Sequence, residues 1–157
     1  MDVYSSLTVR LKAQHEAIPK IISTATSNRL LVRPQPDKWN IIDNIAHLTR
    51  YQEVFIDRIN QILIQENPFF GRYSADEDPE FESFRGINTG LLIKQLNRDR
   101  GVIYDLVTSL PAGQLNRCGE HKQYGSLNII QWTEFFLLHE AHHIFTIFKL
   151  SHDSMLA

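Results

Sequence analysis

The chain has 157 residues, enough for one domain over 1–157 that buries about two thirds of the surface its unfolded form would expose. Its 16 basic and 18 acidic residues leave a net charge of −2, which gives no electrostatic footing for nucleic acid or an anionic membrane. One cysteine, Cys118, rules out an internal disulfide, no apolar run reaches the 18 or so residues of a bilayer span, and the start Met1-Asp2-Val3-Tyr4 lacks a basic region followed by an apolar core, so a cytoplasmic protein is expected.

Residues 3–27 carry Val3, Leu7, Leu11, Ile18, Ile21 and Ile22 at helical spacing, which predicts a first helix with Pro19 as its kink or boundary. His15 has no second ligand at helical spacing and reads as a solvated or edge histidine. Pro34 and Pro36 make 28–38 a stiff, extended connector. Asn40 is then a helix cap, Asp43 favours the positive end of the dipole, and a second helix follows with a core stripe of Ile41, Ile45, Leu48, Phe55, Ile59 and Ile62. His47 lies at the edge of that stripe, near Asn44 and Tyr51.

The helical period is lost over 66–87, where Phe69, Phe70 and Tyr73 precede the acidic residues Asp76, Glu77, Asp78, Glu80 and Glu82. The spacing is not that of an EF-hand, so the acids read as a solvated loop whose aromatics lie back on the bundle and roof a pocket. Left exposed, the same aromatics would suit a homodimer. Leu91, Leu92, Leu96, Ile103, Leu106, Val107 and Leu110 predict a third helix over 88–109, ended by Pro111, with Gly101 expected to mark close approach of another element. Residues 112–127, punctuated by Gly113, Gly119 and Gly125, fit neither period and read as an exposed loop. Cys118 and His121 in it have the spacing of a metal half-site without a second half. Asn128, with Gln131 three residues on, caps a fourth helix running to about Leu150. The expected fold is all-α, a four-helix bundle with a long loop between its second and third helices.

The fourth helix carries the chemistry. Its stripe of Ile129, Trp132, Phe136, His139, His143, Ile147 and Leu150 puts two imidazoles where packing calls for aliphatic side chains. Residues four apart on a helix share a face, so His139 and His143 can converge on one metal ion, and a catalytic site commonly has a third protein ligand. His47 suits that place, because it lies about 10 Å past the start of its helix and His143 about 10 Å before the end of its own, levels that coincide if the two helices are antiparallel.

His139-Glu140-Ala141-His142-His143 also spells the zinc motif of metalloproteases, with Glu140 as general base. The longer motif fails, since Thr146 and Lys149 stand where glycine and histidine belong. Glu140 lies about 100° round the helix from His139 and reads as a solvent-facing or supporting carboxylate, and His142 is also off the stripe.

Arg33-Pro34 with Trp39-Asn40-Ile41-Ile42-Asp43-Asn44-Ile45-Ala46-His47-Leu48, and the glycine-punctuated run from Arg117 to Asn128 leading to His139-Glu140-Ala141-His142-His143, together resemble the DinB/YfiT-like metalloenzyme family. The chain departs from the family pattern at Thr146, where glutamine is common, and at Asn40 and Asn128, where serine or threonine is usual. The resemblance implies an up-down-down-up bundle with His47, His139 and His143 holding one divalent transition metal, zinc, nickel or iron. Family members include thiol-dependent S-transferases and a maleylpyruvate isomerase that uses a low-molecular-weight thiol. The expected function is therefore a metal-dependent S-transferase or hydrolase in which water or a small thiol takes the open coordination positions and attacks a small-molecule substrate. The alternatives are a non-catalytic metal-binding or stress-response bundle and a plain bundle with buried histidines.

Overall fold

In the computed structural model, which describes residues 3–153, the N-terminal helical stretch is broken into α1 (Ser5–Ala13), α2 (Ala17–Ile21) and α3 (Ser27–Leu31), with a 3-10 turn over Gln14–Glu16. The break precedes Pro19 instead of falling on it. A proline ring crowds the carbonyl four residues back, here that of His15, while its missing N–H costs nothing inside the first turn of α2. α3 occupies part of the expected connector, capped by Thr26, whose hydroxyl accepts from the Arg29 amide at 3.2 Å.

α4 (Ile41–Ile64) starts at the expected cap. Asn40 Oδ1 accepts from the Asp43 amide at 2.8 Å and Asp43 Oδ2 accepts from the Asn40 amide at 3.2 Å. Asp43 also takes Arg33 at 2.7 Å and Arg85 at 2.8 Å, tying the connector and the next short helix to the start of α4. That short helix, α5 (Phe81–Arg85), follows β1 (Phe69–Phe70) and a 3-10 turn over Ala75–Glu77. The acidic run is only partly solvated, because Asp78 accepts from Arg50 Nε and from the Tyr73 hydroxyl, each at 2.8 Å. Then come α6 (Thr89–Ser109), α7 (Ala112–Leu115), β2 (Cys118–His121), β3 (Gly125–Asn128) and α8 (Ile129–His152), the last opened by a reciprocal Asn128–Gln131 capping box.

The molecule is mostly helical, but the all-α expectation is corrected by a three-stranded sheet of order β1-β2-β3. β1 pairs parallel with β2, Phe70 opposite His121, and β2 pairs antiparallel with β3, Cys118 opposite Asn128. Strands of two and four residues are too short for alternation to show against a loop. Their hairpin turns at Gly125, whose φ of 72° suits glycine. The glycine that marks a close approach is Gly119 and not Gly101. A Cβ on Gly119 would lie 2.7 Å from Phe70 and 2.9 Å from Ile62, whereas Gly101 has nothing within 4 Å.

Two apolar clusters divide each long helix. One takes Tyr51, Phe55, Ile59, Ile103, Val107, Trp132 and Phe136 with Leu7 and Leu11, and the other takes Ile41, Ile45, Leu48, Leu92, Leu96, Ile147 and Leu150 with Ile18. Contacts run in opposite directions along α4 and α8, Asn44 meeting His143 and Phe55 meeting Phe136. Along α4 and α6 they advance together, Thr49 meeting Leu92 and Glu53 meeting Gln95. Where the clusters divide, His15, Gln52, Arg100 and Glu140 are buried. No helix among the described residues is long and apolar enough to cross a membrane.

Candidate metal centre

α4 and α8 face each other at the polar level, and their registers bring His47, His139 and His143 together. One ring nitrogen from each lies within 4.8 Å of the others. His47 Nε2 and His139 Nε2 are 3.0 Å apart. His143 Nδ1 meets Asn44 Oδ1 at 2.9 Å, and Asn44 donates its amide to the Asn40 carbonyl at 2.7 Å. An amide oxygen can only accept, so the His143 proton sits on Nδ1 and the lone pair on Nε2. A chain of contacts thus runs from the helix cap to the orientation of one imidazole.

The donor set suits a borderline divalent ion such as zinc, nickel or iron. His47 Nδ1 and His139 Nδ1 are buried with no hydrogen-bond partner among the described residues. A buried polar atom left unsatisfied costs about 1–3 kcal/mol, so three clustered rings are a poor arrangement for stability alone. Trp39 stands 4.9 Å from the His47 ring and Tyr73 5.7 Å from it, while Tyr51 lies 4.3 Å from the His139 ring. All of these line an open cavity of about 1510 Å³.

Burial, reinforced by the other two histidines, lowers the pKa of His47 to about 2. Burial, then His139 and His142, lowers His143 to about 3. Burial, then His142 and the Arg58 guanidinium, lowers His139 to about 4. Neutral imidazoles are the form that binds metal. His15, away from this group, is lowered to about 4 by burial and then by Arg100. The unfolded chain takes up protons on these histidines below its ordinary value of 6.5, and the folded chain does so only at far lower pH. Stability is therefore complete above pH 6.5 and falls as the pH drops from 6.5 toward 4. Urea midpoints of the metal-free protein should decline over that window, and His15→Gln should make the decline shallower. A midpoint that stays level from about pH 7 to about pH 4.5 would refute this linkage.

The other residues singled out from the sequence fall elsewhere. Glu140 is neither solvent-facing nor a supporting carboxylate of the histidines. It is fully buried, paired with Arg100, and accepts from Gln14 Nε2 at 2.9 Å. His142 is exposed on the cavity wall, outside the group of three. His15, expected at an edge, is 5% exposed and sits 3.3 Å from Arg100. His121, expected in an exposed loop, is 4% exposed on β2, and Cys118 is partly buried; neither joins the cluster.

Arg58, on the same cavity, was legible and overlooked. It follows Tyr51 and Phe55 and precedes Ile62 at spacings of three and four, a charge on the core face of α4.

No curated protein matches the chain by sequence. Among solved structures, YfiT from Bacillus subtilis, a probable metal-dependent hydrolase with an unusual four-helix bundle topology, superposes with a TM-score of 0.80 at 17% identity, covering 97% of this chain and 87% of that one. The family model of the DinB superfamily matches residues 10–147. That span contains all three clustered histidines, the whole of α4 and α8 as far as Ile147, and the chain belongs to the DinB superfamily.

Proposed function

We propose that the protein is a metal-dependent enzyme that holds one divalent ion, zinc, nickel or iron, on His47, His139 and His143. Its substrate is a small molecule bound in the adjoining cavity. The observation that carries this reading is where the imidazoles meet: at the wall of an open cavity of about 1510 Å³, not inside a closed core. An ion held there supplies Lewis acidity that makes water or a low-molecular-weight thiol nucleophilic at neutral pH. The chain's own residues prepare the place. Asn44 fixes the His143 tautomer, and Trp39, Tyr73 and Phe81 shield the His47 ring from water. Glu140 is committed to Arg100 and takes no part as a base.

Hydrolysis, as in the description of YfiT, and thiol S-transfer are the two reaction classes this site supports. The same reading takes the bundle as up-down-down-up, in keeping with the opposed α4–α8 and concurrent α4–α6 contacts. The free thiol of Cys118 suits the cytoplasm.

The test is a screen of protein loaded with zinc, nickel or iron(II) against simple esters and amides, and against electrophiles with a small thiol present. Turnover should appear in at least one arm and vanish with chelator and in His139→Ala. Silence in every arm would overturn the enzymatic reading in favour of a non-catalytic ion-binding bundle.

A further inference from the structure

Arg58 is 7% exposed, yet it lines the cavity beside the histidines. Its Nη1 donates to the Tyr51 hydroxyl at 3.2 Å and its Nη2 to the Gly71 carbonyl at 3.0 Å. The guanidinium lies 5.4 Å from the centre of the Trp132 ring and 5.5 Å from that of Phe70. Among the described residues no carboxylate comes within ion-pair reach of it. Arg100, deeper still in the fold, is neutralised by Glu140. Neutral acceptors and ring faces offset only part of the cost of burying a cation, so Arg58 is a charge with room for a counter-ion.

Two further donors face the same cavity. The Tyr51 hydroxyl accepts from Arg58, which leaves its own proton to donate. His121 Nδ1 accepts from the amides of Gln123 at 3.1 Å and Tyr124 at 3.2 Å, so its ring proton is on Nε2. Of the acids on the cavity wall, Glu134 is held by Arg10 at 2.9 Å, and Asp76 and Glu77 are exposed and form no ion pair with Arg58 among the described residues.

We propose that Arg58, Tyr51 and His121 form a subsite that binds a carboxylate group of the substrate beside the three histidines. The subsite deepens the enzymatic reading above and rests on it for its role in turnover. Charge and geometry favour a carboxylate over a phosphate. One guanidinium balances one negative charge, and with two of its five N–H groups already engaged, Arg58 keeps three for a planar anion with two oxygens. Tyr51, 4.3 Å from the His139 ring, sets the subsite against the histidine cluster, so an acid held there places its neighbouring atoms at the proposed reaction centre.

Titration calorimetry of the full chain with benzoate tests this, run once with chelator and once with zinc. Benzoate should bind in both states, its neutral analogue benzamide at least tenfold more weakly, and inorganic phosphate should not compete. Arg58→Met should weaken benzoate at least tenfold while zinc stoichiometry, read by mass spectrometry, is unchanged. If Arg58→Met does not fold, His121→Phe decides, with an expected loss of several-fold. Equal binding of benzoate and benzamide, full affinity in whichever of these variants folds, or effective competition by phosphate overturns the proposal. Zinc uptake without benzoate binding sinks the subsite alone, whereas benzoate binding without zinc uptake supports it and counts against the ion.

Discussion

Glu140→Ala is expected to destabilise the protein by about 3–5 kcal/mol, the largest stability effect of any substitution considered for this chain. Glu140 and Arg100 form an ion pair in which both side chains are 1% exposed. Arg100 also donates from Nε to Gln52 Oε1 at 3.1 Å and from Nη1 to the Leu11 carbonyl at 3.3 Å, with Phe136 4.8 Å from its guanidinium. Gln14 reaches both Glu140 and the Leu137 carbonyl, each at 2.9 Å. The pair therefore joins α1, the 3-10 turn after it, α4, α6 and α8 at the level where the two apolar clusters part. Removing the carboxylate leaves a guanidinium with no anion in a site it cannot leave, and that uncompensated charge accounts for most of the loss. Arg100→Met combined with Glu140→Leu removes both charges and should recover stability relative to either single change. Urea unfolding reads all three variants. A loss below about 1 kcal/mol in Glu140→Ala would show that the network is ornamental.

The same residue shows where the sequence stops being readable. The helical wheel places Glu140 about 100° from the histidine face, and on a helix with one buried side that means solvent. α8 has more than one buried side: α4 packs on the histidine face, and α1, α2 and the 3-10 turn pack on another. Nothing in α8 alone reports the second neighbour, because its partner for Glu140 comes from α6 and its partner for Leu137 from Gln14. The interior place of His15 has the same origin, since its turn packs on α8 and Arg100 reaches it from α6.

Features coded by local spacing were legible. Both asparagine caps, the i and i+4 histidines and the aliphatic stripe of α4 depend on residues within one or two turns of each other. The place of His47 followed from helix rise on the condition that its helix and the last run antiparallel, and the structure brings it within 3.0 Å of His139. The small sheet was not legible, because its two-residue strand is defined by pairing with a segment some fifty residues later, Phe70 with His121. Short strands get their identity from partners, and partners are tertiary information.

The largest functional effect is expected at the histidines. His47→Ala, His139→Ala and His143→Ala should each lower affinity for zinc by about 100-fold or more, because two imidazoles bind a divalent ion weakly. Asn44→Leu keeps all three rings but releases the His143 tautomer, and should cost about 10- to 100-fold. His142→Ala should change little, since His142 lies outside the group of three. Metal-to-protein ratios after equilibration in buffered zinc measure each case. One full equivalent retained in any of the three alanine variants removes that residue from the ligand set, and its loss in His142→Ala redraws the set. The metal-free forms supply a second, opposite readout. His47 is 4% exposed and its Nδ1 has no partner among the described residues, so His47→Leu replaces a ring with an unsatisfied nitrogen by an apolar side chain beside the rings of Trp39, Tyr73 and Phe81. In chelator its urea midpoint should equal or exceed that of the parent protein while zinc binding collapses. A site that costs stability until it is used is what separates three functional histidines from three that merely fill a core.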